Sequence, residues 1–134
     1  MELSNDTLNE LPRNIIVPNY DRSALRAGIV HVGVGNFHRA HQAWYLHRLM
    51  QVGEADDWAI IGAGVRDADA IMREKLLRQD CLTTLIELDP SSSSVEVIGS
   101  MIDYLPIEKD NKSLIQRMAR SDIRIVGLTV TEGG

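Results

Sequence analysis

Gly33-Val34-Gly35 follows an apolar run and precedes a helical stretch, the arrangement that lets a backbone receive a pyrophosphate. The first glycine permits the tight turn, and the second lets the anion approach the chain. Amides at the helix start then face the anion, aided by the helix dipole. A third glycine or alanine would fall at position 38, where His38 stands; the competing reading is a glycine-rich turn without a ligand. The adjoining string Phe37-His38-Arg39-Ala40-His41-Gln42 could serve an anion, a metal or simple capping. No carboxylate lies in that turn to complete a metal site, so no metal is expected. Arg39 beside a phosphate is sound electrostatically, and a solvated arginine is its alternative. Gly33, Gly35, Asn36, Phe37, His38 and Arg39 are therefore the candidate cofactor-binding residues of this loop.

A second glycine pair, Gly62-Ala63-Gly64, also follows an apolar run, but its neighbours Arg66, Asp67 and Asp69 include two carboxylates that repel a pyrophosphate. Acids at this point of an α/β fold suit ribose hydroxyls. Asp67 or Asp69 is assigned there, the alternative being that both acids merely cap the helix after Arg66; Arg66 joins the candidate cofactor-binding residues. Thr131 and Glu132 lie just past the last apolar strand, where open α/β sheets gather functional groups. His31 reads as a hydrogen-bonded core histidine, His47 as helix surface, and Cys81 as packing.

The elements that must position these residues follow from periodicity. Short apolar runs at 29–34, 58–62 and 123–130 have the pattern of buried parallel strands. Helices are expected over 39–52, with Ala43, Leu46, Leu49 and Met50 inward, over 68–78, with Ile71, Leu76 and Leu77 inward, and over 112–120. Runs 82–88 and 95–102, joined by 89–94, read as an antiparallel hairpin. Residues 1–28 form a polar arm expected to lie over the domain outside its sheet, and 29–134 form the domain. The order is α/β with a Rossmann-type parallel sheet, helices on both faces and an inserted β-hairpin. With strand order 3-2-1-4-5-6, the fourth strand lies beside the first and expects a fifth. The chain stops at Gly134 before one, and so reads as incomplete.

Composition bounds the partners. Fourteen Lys plus Arg against nineteen Asp plus Glu give a net charge of −5, which argues against a nucleic-acid phosphate binder. No apolar stretch approaches the roughly 20 residues of a membrane span, and the acidic start Met1–Asp6 is unlike a signal peptide. One cysteine excludes an internal disulfide, and a cytoplasmic location is expected.

With these residues in hand, the chain resembles the N-terminal domain of the long-chain mannitol dehydrogenase family, which includes polyol dehydrogenases and hexuronate reductases. The likeness is carried by Ile29-Val30-His31-Val32-Gly33-Val34-Gly35-Asn36-Phe37-His38-Arg39-Ala40-His41-Gln42 and by Trp58-Ala59-Ile60-Ile61-Gly62-Ala63-Gly64-Val65-Arg66. Val97-Ile98-Gly99-Ser100 and Leu128-Thr129-Val130-Thr131-Glu132-Gly133-Gly134 extend it. The resemblance implies hydride transfer between a nicotinamide cofactor, NAD, and a polyol of the mannitol or arabinitol class, giving a ketose. It puts the ribose acid on Asp69, which would favour NAD over NADP. It also implies that the catalytic lysine lies in a C-terminal helical domain beyond this chain. None of Lys75, Lys109 and Lys112 is assigned as the base, so no catalytic residue is expected within residues 1–134. Substrate would bind only with that second domain. The alternatives are a hexuronate reductase fragment, a non-catalytic nucleotide-binding module and a nonfunctional remnant.

Overall fold

The computed structural model describes residues 1–131. Its elements are β1 (Ile15–Ile16), β2 (Ala27–Val32), α1 (Asn36–Ala40), α2 (Gln42–Gln51), β3 (Ala59–Ala63), α3 (Asp69–Arg78), β4 (Thr83–Asp89), β5 (Ser92–Ile98), β6 (Met101–Tyr104), α4 (Lys112–Met118) and β7 (Ile125–Leu128). Four parallel strands form the core sheet in the order β6-β3-β2-β7. Counted along the core, this is 3-2-1-4, the doubly wound order expected.

The apolar runs at 29–34 and 58–62 became central strands because both faces of the sheet are covered. Ile29 and Ile60 pack with Ala43 of α2 and Leu76 of α3, while Val30 and Ile61 pack with Leu114 of α4. Neighbouring strand residues point to opposite faces, so helices are required on both. Ile60 at 0% and Leu76 at 1% exposure each contribute about 1.5–3 kcal/mol through burial.

Several expectations are corrected. The run 95–102 is not one strand: it breaks at Gly99-Ser100, where the chain leaves the hairpin and enters the core sheet as β6. The cause is tertiary, because a Cβ at Gly99 would lie 2.9 Å from Pro18 Cγ and from the Tyr20 hydroxyl. Arg22 clamps this corner, donating to the carbonyls of Gly99 at 3.0 Å and Met101 at 2.7 Å. The hairpin loop is tighter than 89–94, since Asp89 pairs with Ser92 and its carboxylate accepts from the Ser91 amide at 2.9 Å. The arm stays out of the core sheet, yet its β1 pairs in parallel with β5 and makes the hairpin a three-stranded sheet.

Ile71 is exposed, because Leu76 lies five positions on and a helix face returns at three or four; Met72 takes its inward place. Leu49 is exposed as well, while Ala43 and Met50 are buried. β7 pairs with β2 as expected. Among the described residues its other edge is unpaired, and Ile125, Val126, Leu128 and Val130 are exposed.

Candidate nucleotide site

The carboxyl ends of β2, β3 and β7 meet at one rim. Past β2, the Gly33 amide donates to the Ala63 carbonyl at 2.9 Å, and the Thr129 amide donates to the Val32 carbonyl at 3.1 Å. Gly33 has φ +92°, a conformation that glycine adopts without a Cβ penalty. A Cβ at Gly35, in contrast, would meet nothing within 4 Å. Internal packing gives no reason for glycine there, and the space above it is open. Gly35 caps α1 without a side-chain hydrogen bond, so the first-turn amides of Asn36, Phe37 and His38 have no side-chain cap.

The helix expected over 39–52 is two helices. α1 has 5 residues and ends at His41, whose φ −121° and ψ −86° break the helical path before α2. Anion attraction at this loop therefore rests on local amides and Arg39 more than on a long helix dipole. Arg39 folds back over the loop: its Nε donates to the Gly35 carbonyl at 3.3 Å and its guanidinium donates to Asn36 Oδ1. Phe37 stands exposed, stacked on His41 at 4.2 Å. His41 Nδ1 donates to the Phe37 carbonyl at 2.7 Å.

His38 turns inward. It is 2% exposed, stacks on His31 with centroids 3.7 Å apart, and its Nε2 donates to Gln42 Oε1 at 2.9 Å. Burial, helped by His31 and Arg39, lowers its pKa to about 4. His31 is a hydrogen-bonded core histidine, as read from the sequence, with Nε2 2.7 Å from the Thr129 hydroxyl; burial lowers its pKa too. A cleft of about 570 Å³ opens beside the pair, lined by Phe37, Gln42, Val130 and Thr131 among others. Glu132 lies outside the described residues.

At the end of β3, Asp69 is tied to its own loop. Its Oδ2 accepts from the amides of Val65 at 3.1 Å and Arg66 at 3.0 Å, and its Oδ1 accepts from the Arg66 guanidinium at 3.1 Å. Partial burial alone would raise its pKa, but these hydrogen bonds outweigh it and hold the carboxyl below its usual range. Gly64 makes room for this, because a Cβ there would lie 2.7 Å from Asp69 Oδ2. Asp67 and Arg66 remain exposed. The three segments containing Gly33–Arg39, Arg66–Asp69 and Thr129–Thr131 thus leave adjacent strand ends.

Sequence reasoning missed Gln42 and Thr129, which hold the histidine pair; the i, i+4 spacing of His38 and Gln42 was the available signal. It also misread His47, which is fully buried against Glu96. Position 47 lies four after Ala43 and three before Met50, so the helical period places it inward. Cys81 packs as expected, 2% exposed, its thiol pushed up to about 12 by burial. Among the described residues, no three His, Cys, Asp or Glu side chains form a cluster that could hold a metal, and no helix is long and apolar enough to cross a membrane.

The comparisons agree with this geometry. The family profile described as the mannitol dehydrogenase Rossmann domain matches residues 27–134. A mannitol 2-dehydrogenase of Cereibacter sphaeroides is 58% identical over 92% of this chain and 26% of its own length. A polyol:NADP oxidoreductase of Gluconobacter oxydans is 42% identical over 98% of this chain and 27% of its own. The solved Pseudomonas fluorescens mannitol 2-dehydrogenase, a ternary complex with NAD and D-mannitol, superposes with TM-score 0.94 at 46% identity, covering 100% of this chain and 27% of that one. The chain spans about a quarter of the length of these relatives. With 108 consecutive residues matched, a shared fold and the glycine turn at the shared strand end, the chain belongs to the mannitol dehydrogenase Rossmann domain family.

Proposed function

We propose that this chain binds NAD(H) as the cofactor domain of an oxidoreductase that interconverts a polyol and a ketose. The observation that carries the reading is Gly35. Its side-chain space is open, it sits beside the left-handed turn at Gly33, and it precedes a first helical turn without a side-chain cap. A pyrophosphate needs close backbone approach and free amides, and this loop offers both. Gly33, Gly35, Asn36, Phe37 and Arg39 are the proposed phosphate-side residues, with His38 beneath them. Asp69, with Asp67 and Arg66, is the proposed adenosine-ribose group; Thr131 and Glu132 complete the set.

Asp69 has already committed both oxygens to its loop, and a carboxylate has about four acceptor sites, so Oδ1 keeps capacity for a ribose hydroxyl. Its charge opposes a 2′-phosphate, which supports NAD over NADP. When bound, the nicotinamide supplies the hydride chemistry. The proposed work of this chain is to hold and orient the cofactor, with no proton-transfer residue assigned within it. Polyol binding and turnover are proposed for a longer protein containing this domain. The net charge of −5 supports a protein without a nucleic-acid phosphate partner.

A fluorescence titration of the 134-residue chain with NADH, and in parallel with NADPH, tests this. Saturable binding that prefers NADH is expected. A folded chain that binds neither would end the cofactor reading.

A further inference from the structure

The proposed phosphate loop is carried on α1, a 5-residue helix cut off from α2 by the break at His41. Helical continuity therefore does not set its direction. A pair of imidazoles spans the turn instead. His31, in β2 just before the glycine turn, and His38, in α1 just after it, stack with centroids 3.7 Å apart and planes 13° apart. Each is anchored outward by Nε2, His31 to the Thr129 hydroxyl beyond β7 at 2.7 Å and His38 to Gln42 of α2 at 2.9 Å.

The surroundings are shaped to the rings. Gly127 of β7 has no side chain where a Cβ would come 2.6 Å from His31 Nδ1. Both Nδ1 atoms are buried without a hydrogen-bond partner among the described residues. A buried polar atom left unpaired costs desolvation without return, so packing alone does not account for two histidines here. What they supply is a flat contact with an anchoring nitrogen at each outer edge, bridging β2, α1, α2 and the end of β7.

We propose that the His31–His38 stack is a positioning pair for the dinucleotide loop, holding α1 so that Gly35 and the first-turn amides face the cofactor. The role rests on the NAD-binding reading above. It makes the His38 imidazole a group that acts through the loop and does not touch the ligand itself.

Calorimetric titration of the 134-residue chain with NAD tests it at neutral pH. His38→Ala is expected to bind at least tenfold more weakly and to shift the Gly33 and Gly35 amide resonances. His38→Phe keeps a ring to stack and is expected to recover binding to within about threefold. Ile61→Val, buried on the sheet face toward α4, is the control for lost stability and is expected to bind as wild type does. The pair is not a positioning device if His38→Ala binds like wild type, or if Ile61→Val loses as much affinity. Should His38→Ala fail to fold, Thr129→Val carries the test, with at least threefold weaker binding expected and unchanged affinity overturning the role. A folded wild type that binds no NAD would remove the cofactor reading and the positioning role together, an outcome distinct from binding that ignores His38.

Discussion

His47 and Glu96 meet at 3.2 Å inside the molecule, joining α2 to β5. The Gly99 amide donates to His47 Nδ1 at 3.3 Å, and the Tyr20 hydroxyl lies 2.6 Å from the same nitrogen. Nδ1 is therefore the acceptor, Nε2 carries the proton, and that proton goes to Glu96. The other carboxylate oxygen accepts from Trp44 Nε1 at 2.9 Å. A neutral imidazole and a charged carboxylate satisfy every partner, and protonating His47 would set Nδ1 against the Gly99 amide.

Acid should therefore unfold the chain through its histidines. Burial lowers His47 despite the opposing pull of Glu96, and burial lowers His31 and His38 as well. The unfolded chain, with histidines near pKa 6.5, takes up these protons first. The folded state loses stability as pH falls below about 6.5, and the loss continues down to each depressed value. At pH 5.5 this amounts to at most about 1.4 kcal/mol per histidine. Urea denaturation at pH 7.5 and 5.5 checks it, with a lower midpoint expected at 5.5; an unchanged midpoint contradicts the neutral assignment.

How much of this was legible in the residues depends on range. β2, β3 and β7 could be read because each is a local apolar run, and doubly wound topology then places β7 beside β2. The division of β5 from β6 could not, because its cause is Pro18, Tyr20 and Arg22 arriving from some 80 positions away. The candidate loop was legible for the same local reason: two glycines after a strand. The inward turn of His38 was not, since the ring it stacks on, His31, lies in β2 and is itself anchored by Thr129 beyond β7. Asp69 was one of two acids singled out past β3, but its service to the Val65 and Arg66 amides is a backbone matter that composition does not reveal.

Gly35→Val should separate binding from folding. The φ of −110° suits a β-branched residue and the Cβ meets no atom within 4 Å, so the melting temperature should stay within about 2 °C of wild type. NADH binding should disappear, because the new methyls fill the proposed pyrophosphate space. Retained affinity would refute the phosphate-loop assignment.

Asp69→Ala should have two effects. The amides of Val65 and Arg66 lose their acceptor, as at a lost helix cap, and stability falls by about 1 kcal/mol. Removing the charge should also narrow the preference for NADH over NADPH. Parallel titrations read the second effect and thermal melts the first. A stability loss with an unchanged cofactor ratio would confine Asp69 to holding the loop.

The edge of β7 predicts the solution behaviour of the 134-residue chain. Val126 and Leu128 alternate onto one face of the strand and are 52% and 65% exposed, and no strand among the described residues pairs with their outer edge. An apolar strand with an open row of amides and carbonyls is a template for another chain. Sedimentation velocity should show association that grows with concentration. The double substitution Val126→Lys and Leu128→Lys should reduce it, since lysines on an edge strand oppose pairing through charge and hydration. Both side chains already face solvent, so the fold loses little burial. A wild-type chain that stays monomeric at high concentration would show that the β7 edge does not recruit a second copy.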